Sequence, residues 1–576
     1  MKAKQLFALL LVTVLLLVGC TTGGETADKT EDKEALETTP NELEQEEPEA
    51  TQGTAGEEEP AAQVDVEQKL TFAVLDDPDS LDPNYTLNTF GGCLFFTAFE
   101  TLLKYDTENN LVNGVAEDYT VSDDGLVYTF TLRENAKWSD GSPLTAEDFV
   151  FAWKRVLDPE FASSAAHMMY PYIKNGEKAY NGEDGVTLDD VGITAVSDNV
   201  LEVTLETPCS FFPSLVATWT YSPVCKAVVE ANEDWARDTT NYISNGPFKL
   251  VDYKLSEGLY LVKNEHHWNA DNVKLETLNF KIMQDLNTAL SAYEKGELDG
   301  MIRTPSAEIP NLRSRDDFHN MPQFSNTYWM INCTSPGLDN PLVRKALNLA
   351  IDRTSLIEDA LQATYEPIMG HVPHGYIQAD GEDFRIAGGD YDMLPTAQIE
   401  EAKALLVEAG YKEDLSDFPK LRLGYYTNDT AKKVAETLQQ MYKQNLGIDM
   451  EIVSAEWTVF YDQTLQLDYD ICAMGDLGTY MHPMAFLSTY VGDKPPLETG
   501  WRNPEYDRLV EEAVKEVDPA KADALLHEAE DLFMNDYPLL PLYSGSLPML
   551  MKNYVTNWYY SPVGVYVFDQ IEIVDH

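Results

Sequence analysis

A chain of 576 residues that carries 98 Asp/Glu against 40 Lys/Arg, a formal net charge of −58, has no basic face with which to neutralise phosphates. That excludes nucleic acid as a partner and opposes direct docking on anionic lipid. With 44% hydrophobic residues, the chain has material for a core of more than one lobe.

Lys2 and Lys4 precede an apolar run from Leu6 to Val18. A charged start, a short hydrophobic core and small residues at its end define a secretory signal over residues 1–19. The run is too short for a bilayer core, which takes roughly 20 helical residues. It ends in Leu17-Val18-Gly19-Cys20, which resembles a bacterial lipobox, so Cys20 is expected to be acylated (diacyl or palmitate) as the new N-terminus. The protein is then expected on the extracytoplasmic face of the cell membrane, tethered by lipid. Thr21 to Lys69 hold 16 Asp/Glu against 3 Lys/Arg and almost no core-forming residues. Residues 20–67 are therefore read as a disordered acidic linker, roughly 35–40 Å end to end as a flexible coil.

The body alternates strands and helices. Lys69–Val74 reads as a strand. Val127–Leu132 alternates with period two behind the turn Asp123-Asp124-Gly125 and reads as half of a hairpin. Thr145 caps a helix with acidic residues in its first turn and Phe149, Trp153 and Val156 on one face. Val200–Leu205 is a further alternating strand. A helix runs from Thr396 through Ile399, Ala402 and Leu405-Leu406 to a C-cap at Gly410. Leu421–Tyr426 reads as a strand, followed by a helix capped by Asp429 or Thr430 with Val434, Leu438 and Met441 inward, ending near Gly447. Ile448–Val453 returns as a strand. This βαβ pattern implies a parallel sheet covered on both faces.

Chemistry-bearing motifs are scarce. HExxH, GxSxG and GxxxxGK[ST] are absent, and no carboxylate pair stands out as an acid/base couple. His371 and His374 are read as residues of a surface loop rather than a metal site. Asp77, Asp79 and Asp82 are read as turn residues, with calcium ligation as the lesser alternative. The five cysteines after Cys20 are scattered; buried free thiols are the default, and Cys209 with Cys225 is the one candidate disulfide. The chain is read as a binding protein without catalytic residues, cofactor or metal. Nine tryptophans and 31 tyrosines suit an aromatic-lined site for an organic ligand.

Ordered strings then point to a family. Ser80-Leu81-Asp82-Pro83, Phe99-Glu100-Thr101-Leu102, Ala136-Lys137-Trp138-Ser139-Asp140-Gly141, Thr145-Ala146-Glu147-Asp148-Phe149, Asn245-Gly246-Pro247-Phe248, Gly296-Glu297-Leu298-Asp299 and Val343-Arg344-Lys345-Ala346-Leu347 fall in one sequence order. Together they resemble the extracellular solute-binding proteins, family 5, of ABC importers, which include oligopeptide- and dipeptide-binding lipoproteins. The resemblance runs from about residue 70 to the C-terminus. It implies an α/β, two-lobed periplasmic-binding-protein-like fold (type II) with an extra inserted subdomain. Lobe I would comprise 68–103, 236–325 and 541–576, the subdomain 104–235, and lobe II 326–540. It also implies a monomer that captures oligopeptides and hands them to ABC permease transmembrane subunits, as in Gram-positive bacteria. A nickel chelate, opine or oligosaccharide as cargo, or a peptide pheromone in a signalling role, stays open.

In similar proteins an extended peptide adds as a strand to main-chain edges on both lobes. By register, those edges correspond to Leu87, Asn88 and Thr89 and to Gly475, Asp476 and Leu477. Trp457 falls where relatives offer an aromatic pocket wall, and a core role is an equal alternative. Relatives commonly carry an aspartate, which pairs with the ligand's free amine, where this chain has Thr479. The tyrosine that often supports it is Phe151 here. Either Asp476 or another carboxylate substitutes, or the ligand lacks an amine there.

Overall fold

The computed structural model describes residues 66–576 other than 184, 233 and 238, so the signal segment, Cys20 and the linker up to residue 65 lie outside the described residues. One eleven-stranded sheet runs through the molecule. Its strands are β1 (Lys69–Val74), β2 (Phe248–Lys254), β3 (Gly258–Lys263), β4 (Thr277–Ile282), β5 (Gly300–Met301), β6 (Phe318–Ile331), β7 (Glu366–Pro367), β8 (Leu421–Tyr426), β9 (Met450–Ala455), β10 (Ile471–Leu477) and β11 (Leu539–Met551). They lie in the order β9-β8-β10-β6-β11-β5-β1-β4-β3-β2, with β7 on β11.

The sheet is mixed: the βαβ strands β8 and β9 are parallel as expected, and antiparallel pairs make up other parts of it. β8 is parallel to β9 and β10, and β1 is parallel to β4 and β5. Between these two groups lie β6 and β11, paired antiparallel with each other. They are the long strands that join the two lobes, and they must run in opposite directions because the chain crosses once each way. Their ladder slips between Pro322 and Asn326. Proline cannot donate to a ladder, so it marks an interruption. There the Ser544 hydroxyl donates to the carbonyls of Gln323 (3.3 Å) and Ser325 (2.9 Å) in place of regular pairing.

Local readings fare well where one face is buried. β1 and the strand Val127–Leu132 have the expected bounds, and the latter pairs with Ala116–Val121 and Val200–Thr204. The helix Ala146–Val156 carries a reciprocal capping box between Thr145 and Asp148, and Phe149, Trp153 and Val156 are fully buried. Several boundaries differ: the helix expected from Thr396 to Gly410 spans Ile399–Glu408, and the strand read as Val200–Leu205 ends at Thr204. The helix Asp429–Asn445 is capped by Asn428, whose side chain accepts from the Ala431 N–H at 3.0 Å. The next strand begins at Met450, because Gly447 turns at φ +76° and the Ile448 N–H is still held by the Tyr442 carbonyl.

Inside the lobes, buried charge is matched. Glu530 accepts from Arg385 (2.6 Å), Tyr391 (3.0 Å) and the N–H groups of His371 (2.9 Å) and Val372 (2.8 Å). Glu100 meets Lys104 at 3.0 Å and His267 at 3.2 Å. Burial alone would raise the Glu100 carboxyl, but the Lys104 ammonium and the hydrogen bonds from the His267 and Trp268 rings hold it well below the usual range. Cys209 and Cys225 are both buried and unpaired.

Candidate functional site

The lobes meet where β10 emerges from the sheet. β8 pairs with β10 only at Leu423–Ile471 and Gly424–Cys472. On its other side, β10 pairs with β6 as far as Leu477. From Ala473 to Leu477 one edge of β10 therefore has no strand beside it among the described residues. The Gly478 N–H donates to the Phe324 carbonyl and the Asp476 N–H to Asn326 Oδ1 (3.0 Å), so the even-numbered residues face β6. By the alternation of an antiparallel ladder, Gly475 and Leu477 turn their main-chain groups to the open edge. Glycine is needed at 475: a Cβ there would lie 2.7 Å from the Asn326 carbonyl oxygen.

Asp476 is half-buried at this edge. Its carboxylate accepts from the Tyr328 hydroxyl at 2.8 Å, which in turn accepts from Tyr490 at 3.1 Å. No cation pairs with it among the described residues. Burial pushes its pKa up to about 6, although the Tyr328 bond opposes the rise. Thr479 is exposed, its hydroxyl 3.6 Å from Met168 Sδ in the segment leading from lobe I. Next to it, Tyr480 is buried and stacks on Phe211 at 5.2 Å, while the Ser210 N–H donates to the Val514 carbonyl.

Trp457 opens the helix Trp457–Leu465 and is half-buried. It meets Tyr426, the last residue of β8, edge-on at 5.2 Å and stacks on Tyr461 at 5.7 Å. It thus belongs to an aromatic group at the end of β8 that keeps an open face.

On lobe I, Leu87–Thr89 is a capped turn and not a strand. Asn88 Oδ1 accepts from the Phe90 N–H at 3.0 Å, and Thr89 begins a single 3-10 turn leading into the helix Gly92–Ala98. Leu87 keeps both main-chain groups without an internal partner, and Thr89 is exposed. The segment is held from below: the Asn84 amide bridges the carbonyls of Thr220 and Ser222 (3.1 Å each), Trp219 Nε1 donates to the Thr86 carbonyl (2.8 Å), and Asp82 is ion-paired with Arg155. Sequence reasoning had no reason to pick Asn84 or Trp219, whose partners are distant in the chain.

The alternative metal readings do not assemble. Asp82 serves Arg155, Asp79 accepts from Thr86, and Asp77 accepts from Tyr253. His371 is buried in lobe II and not on a surface loop, because its ring packs against Tyr328, Phe486 and Phe533; His374 pairs with Asp383. Among the described residues no group of three or more His, Cys, Asp or Glu is placed to hold a metal, and no helix is long and apolar enough to cross a membrane.

Two α/β lobes joined by two crossing strands, with an unpaired strand edge at their junction, define a receptor for dissolved molecules. The chain belongs to the bacterial extracellular solute-binding proteins, family 5, whose middle portion matches residues 110–496. It is 36% identical over 489 residues to the oligopeptide-binding protein OppA of Bacillus subtilis, covering 82% of this chain and 87% of that one. Among solved structures, the unliganded open form of the murein tripeptide-binding protein MppA superposes with a TM-score of 0.79 at 29% identity, covering 88% of this chain and 98% of that one. Listeria monocytogenes OppA bound to peptide gives 0.64 at 28% identity, covering 88% and 100%.

Proposed function

We propose that this protein is the substrate-binding component of an ABC importer, capturing oligopeptides between its lobes and passing them unchanged to the permease. The observation that carries this is the open edge of β10. An extended backbone laid along Gly475–Leu477 gains main-chain hydrogen bonds whatever its side chains, each worth about 0.5–1.5 kcal/mol net. Leu87, whose main-chain groups have no partner among the described residues, and the Thr89 N–H offer main-chain contacts on the facing lobe, while the Thr89 carbonyl is taken by the Gly92 N–H; the aromatic group around Trp457 offers a wall for one ligand side chain. Ligand contacts with both lobes at once would stabilise closure.

Asp476 takes the ligand's amine in this reading, in place of the aspartate that relatives carry at the position of Thr479. A desolvated carboxylate with one hydroxyl donor and no cation has room for an ammonium group. Lipid on Cys20 would keep the receptor, as a monomer, beside its permease. Two acyl chains suffice for stable anchoring, at about 0.8 kcal/mol per buried methylene.

Native mass spectrometry of protein purified without unfolding tests the cargo. Bound masses resolving into short peptides are expected. A non-peptide solute as the retained species would replace this reading with the second class of cargo that the Thr479 substitution leaves open.

A further inference from the structure

Gly424 lies in the middle of β8, between Val453 of β9 on one side and Cys472 of β10 on the other. Side chains alternate along a strand, so Arg422, Gly424 and Tyr426 share one face of the sheet. The helix Trp457–Leu465 covers that face. Tyr426 meets Trp457 at 5.2 Å and Phe460 at 5.7 Å, and a Cβ on Gly424 would lie 3.9 Å from the Phe460 ring. At the other end Arg422 turns to Asp468 and Asp470. The first turn of the helix thus rests on Tyr426, whereas its middle passes over a residue that has no side chain. A cavity of about 80 Å³ lies there, with Gly424, Val453, Cys472, Phe460 and Thr464 in its walls.

Nothing in the backbone requires glycine at this point. The residue is part of a regular strand and is not left-handed. The nearest atom to an added Cβ is that of Cys472, at 3.4 Å, an ordinary contact. Glycines 258, 300, 475 and 545 in other strands differ, because a Cβ on each would come within 3.0 Å of a neighbour. Glycine weakens a strand, and a void forfeits the contacts that its walls would otherwise make. β8 carries both losses at one point, directly beneath the helix that holds Trp457.

We infer that Gly424 is a positioning residue for Trp457 and sets how wide a range of ligand side chains the site accepts. The space it leaves lets the helix Trp457–Leu465 settle toward the sheet when a large side chain presses on the indole. A small side chain leaves the helix where it stands, and the wall keeps contact with either. A filled core could not give in this way, because extra volume forces its side chains off their rotamers. The inference rests on the peptide reading above and assigns part of its breadth to one element of lobe II.

The test is calorimetric titration of the wild type, Gly424→Ala and Thr464→Ile. The ligands are penta-alanine and its variants with one phenylalanine or tryptophan at each position in turn. Gly424→Ala fills the space from the sheet, and Thr464→Ile fills it from the helix. Both variants should bind penta-alanine within about twofold of the wild type. Both should weaken the tryptophan peptide at one shared position at least about fivefold, with the phenylalanine peptide less affected. Gly424→Ala should also raise the thermal midpoint, since alanine has fewer unfolded conformations to lose. In a Trp457→Ala background, Gly424→Ala should leave the ranking of side chains unchanged, because the wall it constrains is gone. If Gly424→Ala does not fold, Thr464→Ile carries the same prediction. An equal effect on all peptides, no effect on any, or a size penalty that survives removal of Trp457 overturns this inference alone. Failure of every peptide to bind the wild type overturns the peptide reading and this inference with it.

Discussion

Glu530 and Asp476 are carboxylates of the same lobe with opposite surroundings. Glu530 is fully buried and has four donors, one of them the Arg385 guanidinium. Asp476 stands half-buried at the cleft with a single side-chain donor and no cation. The first arrangement is complete in the folded chain. The second is complete only when something else arrives. Buried charge inside a lobe therefore serves the fold, whereas in the proposed function the unmatched charge of Asp476 marks where the cargo would contribute.

The largest effect should come from breaking the complete site. Glu530→Gln leaves the Arg385 guanidinium buried without its counter-charge, and removing one partner of such a pair costs about 3–5 kcal/mol. Chemical denaturation should show that loss with peptide affinity in the surviving folded protein little changed. A loss below about 1 kcal/mol would mean that Glu530 is no better matched than Asp476, and the contrast would fail.

Asp476→Asn should do the reverse. It removes an ionised group that is costly to desolvate, so stability should hold or rise slightly. Affinity for peptides with a free N-terminus should fall roughly 10- to 100-fold, the worth of a hydrogen bond to a charged group. N-acetylated peptides should bind both proteins alike. Equal losses for both peptide forms would show that Asp476 shapes the edge without meeting an amine.

The same carboxyl gives a pH dependence of defined sign. Its folded value of about 6 lies above the ordinary aspartate range, so near that pH the empty protein holds a proton that the unfolded chain does not. This group therefore adds stability to the empty form as pH falls from about 7 toward 5, and that gain is lost as pH rises through 6. Amine binding needs the ionised form, so free-amine peptides should bind more weakly below pH 6 and release a proton on binding near it. Titrations in buffers of different ionisation enthalpy measure that proton, and its absence in Asp476→Asn would assign it.

How much of this was legible beforehand follows from how local each cause is. β1 and the helix Ala146–Val156 could be read because alternation, cap and apolar face lie within a dozen neighbouring residues. The edge at Gly475–Leu477 could be located only by register from Tyr480 and Pro483; that it lacks a neighbour follows from where β8 diverges from β10, which no local pattern records. Leu87–Thr89 was located the same way, but Asn88 caps a turn there. Asp476 owes its environment to Tyr328, 148 positions upstream. The mixed sheet escaped for the same reason, since the crossing strands β6 and β11 are separated by most of lobe II.

The smallest expected effect is also the sharpest test of where the amine sits. Thr479→Asp supplies the carboxylate that the family resemblance leads one to expect there. Thr479 is exposed, so the new charge would be well hydrated and screened, and exposed ion pairs are worth about 0–1 kcal/mol. It would also stand near Asp476 and raise that carboxyl further, offsetting part of any gain. A tightening of no more than about fivefold for free-amine peptides, diminishing with added salt, is expected. A gain of about 100-fold that survived Asp476→Asn would place the amine at position 479. Asp476 would then be a charge of the fold like Glu530, only less well matched, and the division between complete and waiting charges would fail.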